Sequence, residues 1–168
     1  MAVFKRGTVV RDSFTRPDLT DGYVTGDVIC NSTTAPVALT FAGCAEQKGG
    51  NGWIISAAID ISAYVAAGPS PELWLFTAAP TMDNDNAAFT PTDAEMLNRV
   101  AVIPFYTAYV GTATAGAGGN QCFQEKNLAL QFKCAAGSQA LYGVIVNRNS
   151  YTPVAQCVWA VTLGIMWD

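Results

Sequence analysis

The sequence predicts an all-β fold: an antiparallel sandwich or jelly roll of about eight strands with one short helix. Three observations carry that expectation. Apolar and polar residues alternate with a period of two in several runs, which sends successive side chains to opposite faces of a strand. Other runs, ELWLFT, VAVIPFYTAYV and ALYGVIVN, are apolar on both faces, as in strands covered on both sides or lying at a subunit contact. Turn chemistry separates the runs at the spacing of a sandwich.

Taken in chain order, the first 20 residues, ending in RDSFTRPDLTDG and its neighbours, are the least regular and read as an N-terminal arm, 1–20. A single sandwich domain, 21–168, follows. YVTGDVIC opens it as a strand, and PVALTFA sets Val37, Leu39 and Phe41 against Ala38, Thr40 and Ala42. After the loop Gly49-Gly50-Asn51-Gly52, the run GWIISAAIDIS places Trp53, Ile55, Ala57, Ile59 and Ile61 on one face and Ser56, Asp60 and Ser62 on the other. Pro69 and Pro71 stiffen the turn before ELWLFT. GTATAGAGGN, Gly111 to Asn120, lacks both the spacing of a phosphate-binding turn and a following helical pattern, and reads as a loop. In NLALQFKC, Leu128, Leu130, Phe132 and Cys134 oppose Asn127, Gln131 and Lys133. The C-terminal run puts Cys157, Trp159, Val161, Leu163, Ile165 and Trp167 on one side, a long final strand in the body of a sheet.

Composition bounds the function. The chain has 168 residues, 51% hydrophobic and only 13% charged, against a globular average of about a quarter charged. So little solvated surface implies that some apolar surface meets another protein. The net charge is −4 and the nine basic residues are scattered, which argues against nucleic-acid binding. MAVFKRGTVVRD has no apolar run after its basic residues, and no stretch approaches the roughly 20 apolar residues of a membrane span. A soluble chain made in a cytoplasm, with no membrane partner, is expected. Five cysteines without a C-x-x-C pair, mostly inside apolar runs, read as buried reduced thiols. There is no histidine, which removes Ser-His-Asp and Cys-His nucleophilic sites and His-ligated zinc together. The expectation is a protein that is not an enzyme, with no catalytic, cofactor or metal residues.

The segment PTMDNDNAAFTPTDAEM, Pro80 to Met96, gathers Asp83, Asp85, Asp93 and Glu95 and invites a metal reading. A Ca²⁺ loop counted from Asp83 fails at position five (Ala87), six (Ala88) and twelve (Ala94). The local account is a helix from about Pro91 to Asn98, capped by Thr90 with Pro91 at the first helical position and acids on the first turn, Met96, Leu97 and Val100 being available to pack. Asp83 and Asp85 with Asn84 and Asn86 then form a solvated turn. Trp53, Trp74, Trp159 and Trp167 could offer flat rings to sugars, but three of them lie in core-like or doubly apolar runs, so packing is their expected use. A pair of carboxylates for glycoside hydrolysis has no distinguishing signal among 13 acids.

Four segments together, YVTGDVICNSTTAPVALTFAGC, PELWLFTAAP, DNDNAAFTPTDAEM and ALYGVIVNRNSYTPVA, resemble a group of small virion proteins of tailed bacteriophages. The resemblance spans about Tyr23 to Trp167. It implies a capsid decoration or cement protein on the outer capsid surface of a virion, bridging copies of the major capsid protein, as a homo-oligomer with a trimer favoured. No catalytic residues come with it. On this reading the arm, with Lys5, Arg6, Arg11 and Arg16, reaches neighbouring subunits, and Leu73 to Phe76 or Ile103, Phe105 and Tyr109 pack on copies and shell. The alternative is a virion-displayed tail or adhesin protein that binds host surface glycan through Tyr64, Tyr106, Tyr142 or Tyr151.

Overall fold

The structure is a computed structural model and describes residues 6–112 and 119–168. Lys5 and the middle of the GTATAGAGGN run lie outside the described residues. Ten strands and one helix follow in order: β1 (Gly7–Thr15), β2 (Val28–Ile29), β3 (Leu39–Phe41), β4 (Asn51–Ile61), β5 (Pro71–Phe76), α1 (Asp93–Met96), β6 (Arg99–Pro104), β7 (Ala108–Thr112), β8 (Asn120–Lys133), β9 (Leu141–Asn147) and β10 (Val158–Trp167). They form two antiparallel sheets, one ordered β1-β10-β4-β8-β7 and the other β2-β9-β5-β6, with β3 also on β9.

The pairing is nested. β1 pairs with β10, β2 and β3 lie end to end on β9, β4 pairs with β8, and β5 pairs with β6. First meets last and the inner strands meet in turn, as in one long hairpin rolled over on itself. With β7 added at one edge, this is a jelly roll, the more specific of the two architectures expected.

The inward stripes fill the space between the sheets. Leu39, Phe41, Ile54, Ile59, Leu73, Leu75, Trp159, Val161 and Leu163 are all buried there, each aliphatic or aromatic side chain contributing about 1.5–3 kcal/mol of transfer free energy. Gly143 in β9 has a packing reason: a Cβ there would stand 2.8 Å from the Phe41 ring. The alternation in the C-terminal run and in NLALQFKC matches the buried faces of β10 and β8.

Several local expectations change. The segment read as an irregular arm contains β1, whose nine residues run in register along β10 from Gly7 opposite Met166 to Thr15 opposite Val158. Its inward positions include Val10 and Phe14, among polar neighbours that hide the period. In β4 the register shifts between Ile54 and Ser56, opposite Leu130 and Lys126, with Asn127 at φ 58°. That bulge turns Ile54 inward and leaves Ile55 exposed, so the predicted stripe holds only from Ala57 onward. VAVIPFYTAYV divides into β6 and β7, which belong to different sheets. The helix is a single turn capped by Thr92 rather than Thr90, because Glu95 returns to the Thr92 N–H and completes a capping box. Leu97 is 88% exposed and Met96 half-buried.

Candidate functional site

The two sheets treat their outer faces differently. Outward from the β2-β9-β5-β6 sheet stand Val28, Cys30, Trp74, Phe76, Val144 and Val146, an apolar surface that the connection between β5 and β6, residues 77–98, crosses and covers. This flap carries the whole acidic segment. Phe89 lies edge-on to Trp74 at 5.5 Å and to Phe76 at 6.3 Å between ring centres, and Met82 packs beside it. Beyond that face the flap runs along the open side of β2: Asp85 N–H donates to Ser32, Asn86 N–H to Val28 and Phe89 N–H to Gly26, while Val28 N–H donates to Ala87, all at 2.8–3.0 Å. The doubly apolar runs ELWLFT and ALYGVIVN are therefore covered on both sides within one chain.

Asp85 is not solvated. Its carboxylate is buried and accepts from Arg16 Nη2 at 2.8 Å, from the Tyr23 hydroxyl at 2.6 Å and from the Cys30 N–H at 2.9 Å. Arg16 in turn donates through Nε to the Tyr23 hydroxyl at 2.6 Å and through Nη1 to the Val154 carbonyl at 3.2 Å. Side-chain exposures of 1% for Arg16 and 0% for Asp85 place the pair out of water. Burial is the largest single influence and opposes the Arg16 charge, but the bond to Asp85 together with the fields of Tyr23, Asp85 and Tyr151 holds the guanidinium above its ordinary pKa. Burial likewise raises the Tyr23 and Tyr151 hydroxyls, against the opposing pull of Arg16, and the two rings stack at 5.1 Å. Cys30, beside this cluster, is pushed up to about 11 by burial. Asp83, by contrast, is half-buried and its carboxylate accepts from the Thr90 N–H and hydroxyl. Asp83 and Asp85, two of the four acids of the suspected metal cluster, thus engage different groups.

The arm's described basic residues, Arg6, Arg11 and Arg16, are engaged within the chain. Arg16 is buried, Arg11 stands 3.8 Å from Asp60, and Arg6 stands 3.5 Å from Glu46, the last two pairs being exposed. The expected contact faces are also internal: Leu73, Leu75, Phe76, Ile103 and Phe105 are buried, Trp74 is half-buried, and only Tyr109 of that set is open. Of the tyrosines expected to meet glycan, Tyr151 is buried against Tyr23, Tyr64 and Tyr142 are half-buried, and Tyr106 is exposed. Trp159 is in the core, and Trp167 donates its indole N–H to the Cys44 carbonyl at 3.0 Å.

The outer face of the β1-β10-β4-β8-β7 sheet carries short and polar side chains in register: Ser13, Ala160, Asp60 and Cys122 in one row, Arg11, Thr162, Ala58 and Gln124 in the next. The exposed large apolar residues borne by strands, Val9, Ile55, Tyr109, Val110 and Val158, all belong to this sheet. Near its β7 edge a concavity of about 460 Å³ is lined by Arg11, Asp60, Tyr109, Cys122 and Val158 among others.

No family model matches the chain, and no curated protein matches it. Among solved structures, a chain from the structure of a marine algae virus of the order Picornavirales is similar over 98% of this chain and 69% of that one, at 14% identity and a TM-score of 0.25. A likeness at that TM-score bears neither on fold nor on function, and the jelly-roll assignment rests on the strand pairing alone.

Proposed function

We propose that the chain is a virion structural protein of the capsid decoration, or cement, type. It binds the outside of a shell, bridges major capsid subunits and assembles as a homo-oligomer, with a trimer favoured. The observation that carries this reading is the asymmetry of the two outer faces: one is closed by the chain's own flap, while the other bears Val9, Ile55, Tyr109 and Val158, exposed, among short and polar residues. Such a surface admits close, extended contact at many weak sites, and repeated attachment on a lattice multiplies weak contacts into firm binding. The jelly roll is shared by capsid and lectin domains and by cupins, so the fold is compatible with this role without selecting it. The resemblance of four segments to small tailed-phage virion proteins supports the phage assignment. The role is binding, without catalysis, cofactor, nucleic acid or membrane.

The test is to mix the purified protein with undecorated phage shells and image the sedimented particles. Regular added density at lattice symmetry axes, with the bare sheet facing the shell, is the expected result; absence of bound protein at saturating concentration overturns the reading. A second reading, a tail or adhesin protein that binds host glycan, is favoured by the concavity that places the Tyr109 ring beside Arg11 and Asp60. It expects Tyr109→Ala to abolish retention on a host-glycan array, and a flat array signal for the unaltered protein would remove it.

A further inference from the structure

We infer that β1 and the 77–98 flap open as one unit, latched by the buried Arg16–Asp85 pair, so that the bare sheet's edge and the cover of the opposite sheet are mechanically linked. Arg16 is the first residue after β1 and continues its ladder, its N–H donating to the Cys157 carbonyl at 3.0 Å. The guanidinium reaches across to the flap, 69 residues away in sequence, where it meets Asp85 at 2.8 Å. Neither charge has water to turn to: the pair is closed in by Tyr23, itself bound to both partners, and by Tyr151 stacked on it. Lifting the flap alone would leave Arg16 with its buried charge unpaired, and peeling β1 alone would leave Asp85 in the same state. Parting a buried pair by removing one partner is strongly unfavourable, whereas moving both into water together restores hydration to each. The least costly opening is therefore joint. It uncovers Cys30, Phe76, Val144 and Val146 and frees the β1 amides in one step.

The consequence is reciprocal. A partner that grips β1 in its seated position also holds the flap shut, and one that takes up the flap loosens the sheet edge, as linkage requires.

Two readouts on the full chain test this. Alkylation of Cys30, identified by peptide mass spectrometry, reports flap opening because the thiol lies under the flap with its Sγ facing the Ser32 and Asp83 carbonyls. Hydrogen exchange of the β1 peptide reports that strand. In Asp85→Asn, both rates are expected to rise together by at least about tenfold, while Asp83→Asn, which alters a carboxylate bonded only to Thr90, leaves β1 exchange unchanged. A rise in Cys30 alkylation with β1 exchange unaltered in Asp85→Asn overturns the proposal. Where Asp85→Asn does not fold, the unaltered protein in low urea decides: β1 exchange and Cys30 labelling should share one opening free energy and one urea slope, smaller than the slope for β4 and β9. Separate slopes, or slopes equal to that of global unfolding, overturn it.

Discussion

The two outer faces of this jelly roll solve the same problem in opposite ways. The β2-β9-β5-β6 sheet is apolar on its outer side and spends a 22-residue connection, 77–98, on covering it. The β1-β10-β4-β8-β7 sheet instead mixes short residues such as Ser13, Ala58 and Thr162 with charged and polar ones, Arg11, Asp60 and Gln124, and leaves Val9, Tyr109 and Val158 exposed without a covering segment. A sheet face can be hidden by the chain or made inexpensive to expose, and only the second leaves it free to meet a partner. On the proposed reading intermolecular contact belongs to the uncovered face, and substitutions on each face test that assignment.

The largest expected effect is at the latch of the covered face. Asp85→Ala leaves Arg16 buried without its counter-charge, and urea denaturation should show a loss of about 3–5 kcal/mol. A double variant, Arg16→Met with Asp85→Leu, should recover much of that loss, because it removes both charges instead of stranding one. Next comes the cover itself: Phe89→Ala strips the ring from Trp74 and Phe76 and should cost about 2 kcal/mol by the same measurement.

Thiol chemistry compares the faces directly. Cys122 lies half-exposed in the concavity of the bare face, its thiol raised first by desolvation and then by Asp60. Cys30 lies buried under the flap. At pH 8 a thiol reagent should modify Cys122 at least roughly tenfold faster than Cys30, a difference of about 1.4 kcal/mol in the opening step; equal rates would mean that the flap does not close that face.

A smaller effect belongs to the single-turn helix within the flap. Thr92→Ala should cost about 1 kcal/mol through loss of the N-cap. Glu95 accepts from the Thr81 N–H at 2.6 Å and the Thr92 N–H at 2.7 Å, bonds that lower its pKa from 4.5 to about 2. A lowered carboxylate stabilises the folded form fully above 4.5 and loses that contribution as pH falls toward 2. Amide resonances of Thr81 and Thr92 in the folded protein should therefore move only as the pH nears about 2 and stay fixed above it.

What the sequence made legible follows the range of the forces involved. Period-two alternation is a local property, and it located β10 and the second half of β8 with their inward sides, while β5 and β9 were legible only as runs apolar on both faces. The bulge at Ile54 is also local, but its signature is an absent register step, which composition hides. Asp85 was illegible for another reason: within DNDN it is indistinguishable from the half-buried Asp83, and its ion-pair partner is an arginine 69 residues earlier. The nesting of β1 with β10 joins the two ends of the described fold, and no pattern within nine residues announces it. Thr92-Asp93-Ala94-Glu95 did carry a capping-box spacing, obscured by the Thr90-Pro91 start beside it.

The smallest effect on stability is expected where the effect on binding is greatest. Ala58 lies in the middle of the bare face, opposite Thr162 on one side and Gln124 on the other, with Asp60 two residues along the same strand. Replacing it with arginine adds a long side chain that can extend into solvent toward Asp60, so the folding free energy should change by less than about 0.5 kcal/mol. On a surface offered to a shell, the same side chain holds the two bodies apart and brings an unmatched charge to a desolvated contact. Ala58→Arg should fold normally and fail to decorate shells, whereas Leu97→Arg, at an exposed position on the flap side, should decorate them as the unaltered protein does. If both variants bind alike, the bare face is not the contact surface, and its short side chains need another explanation.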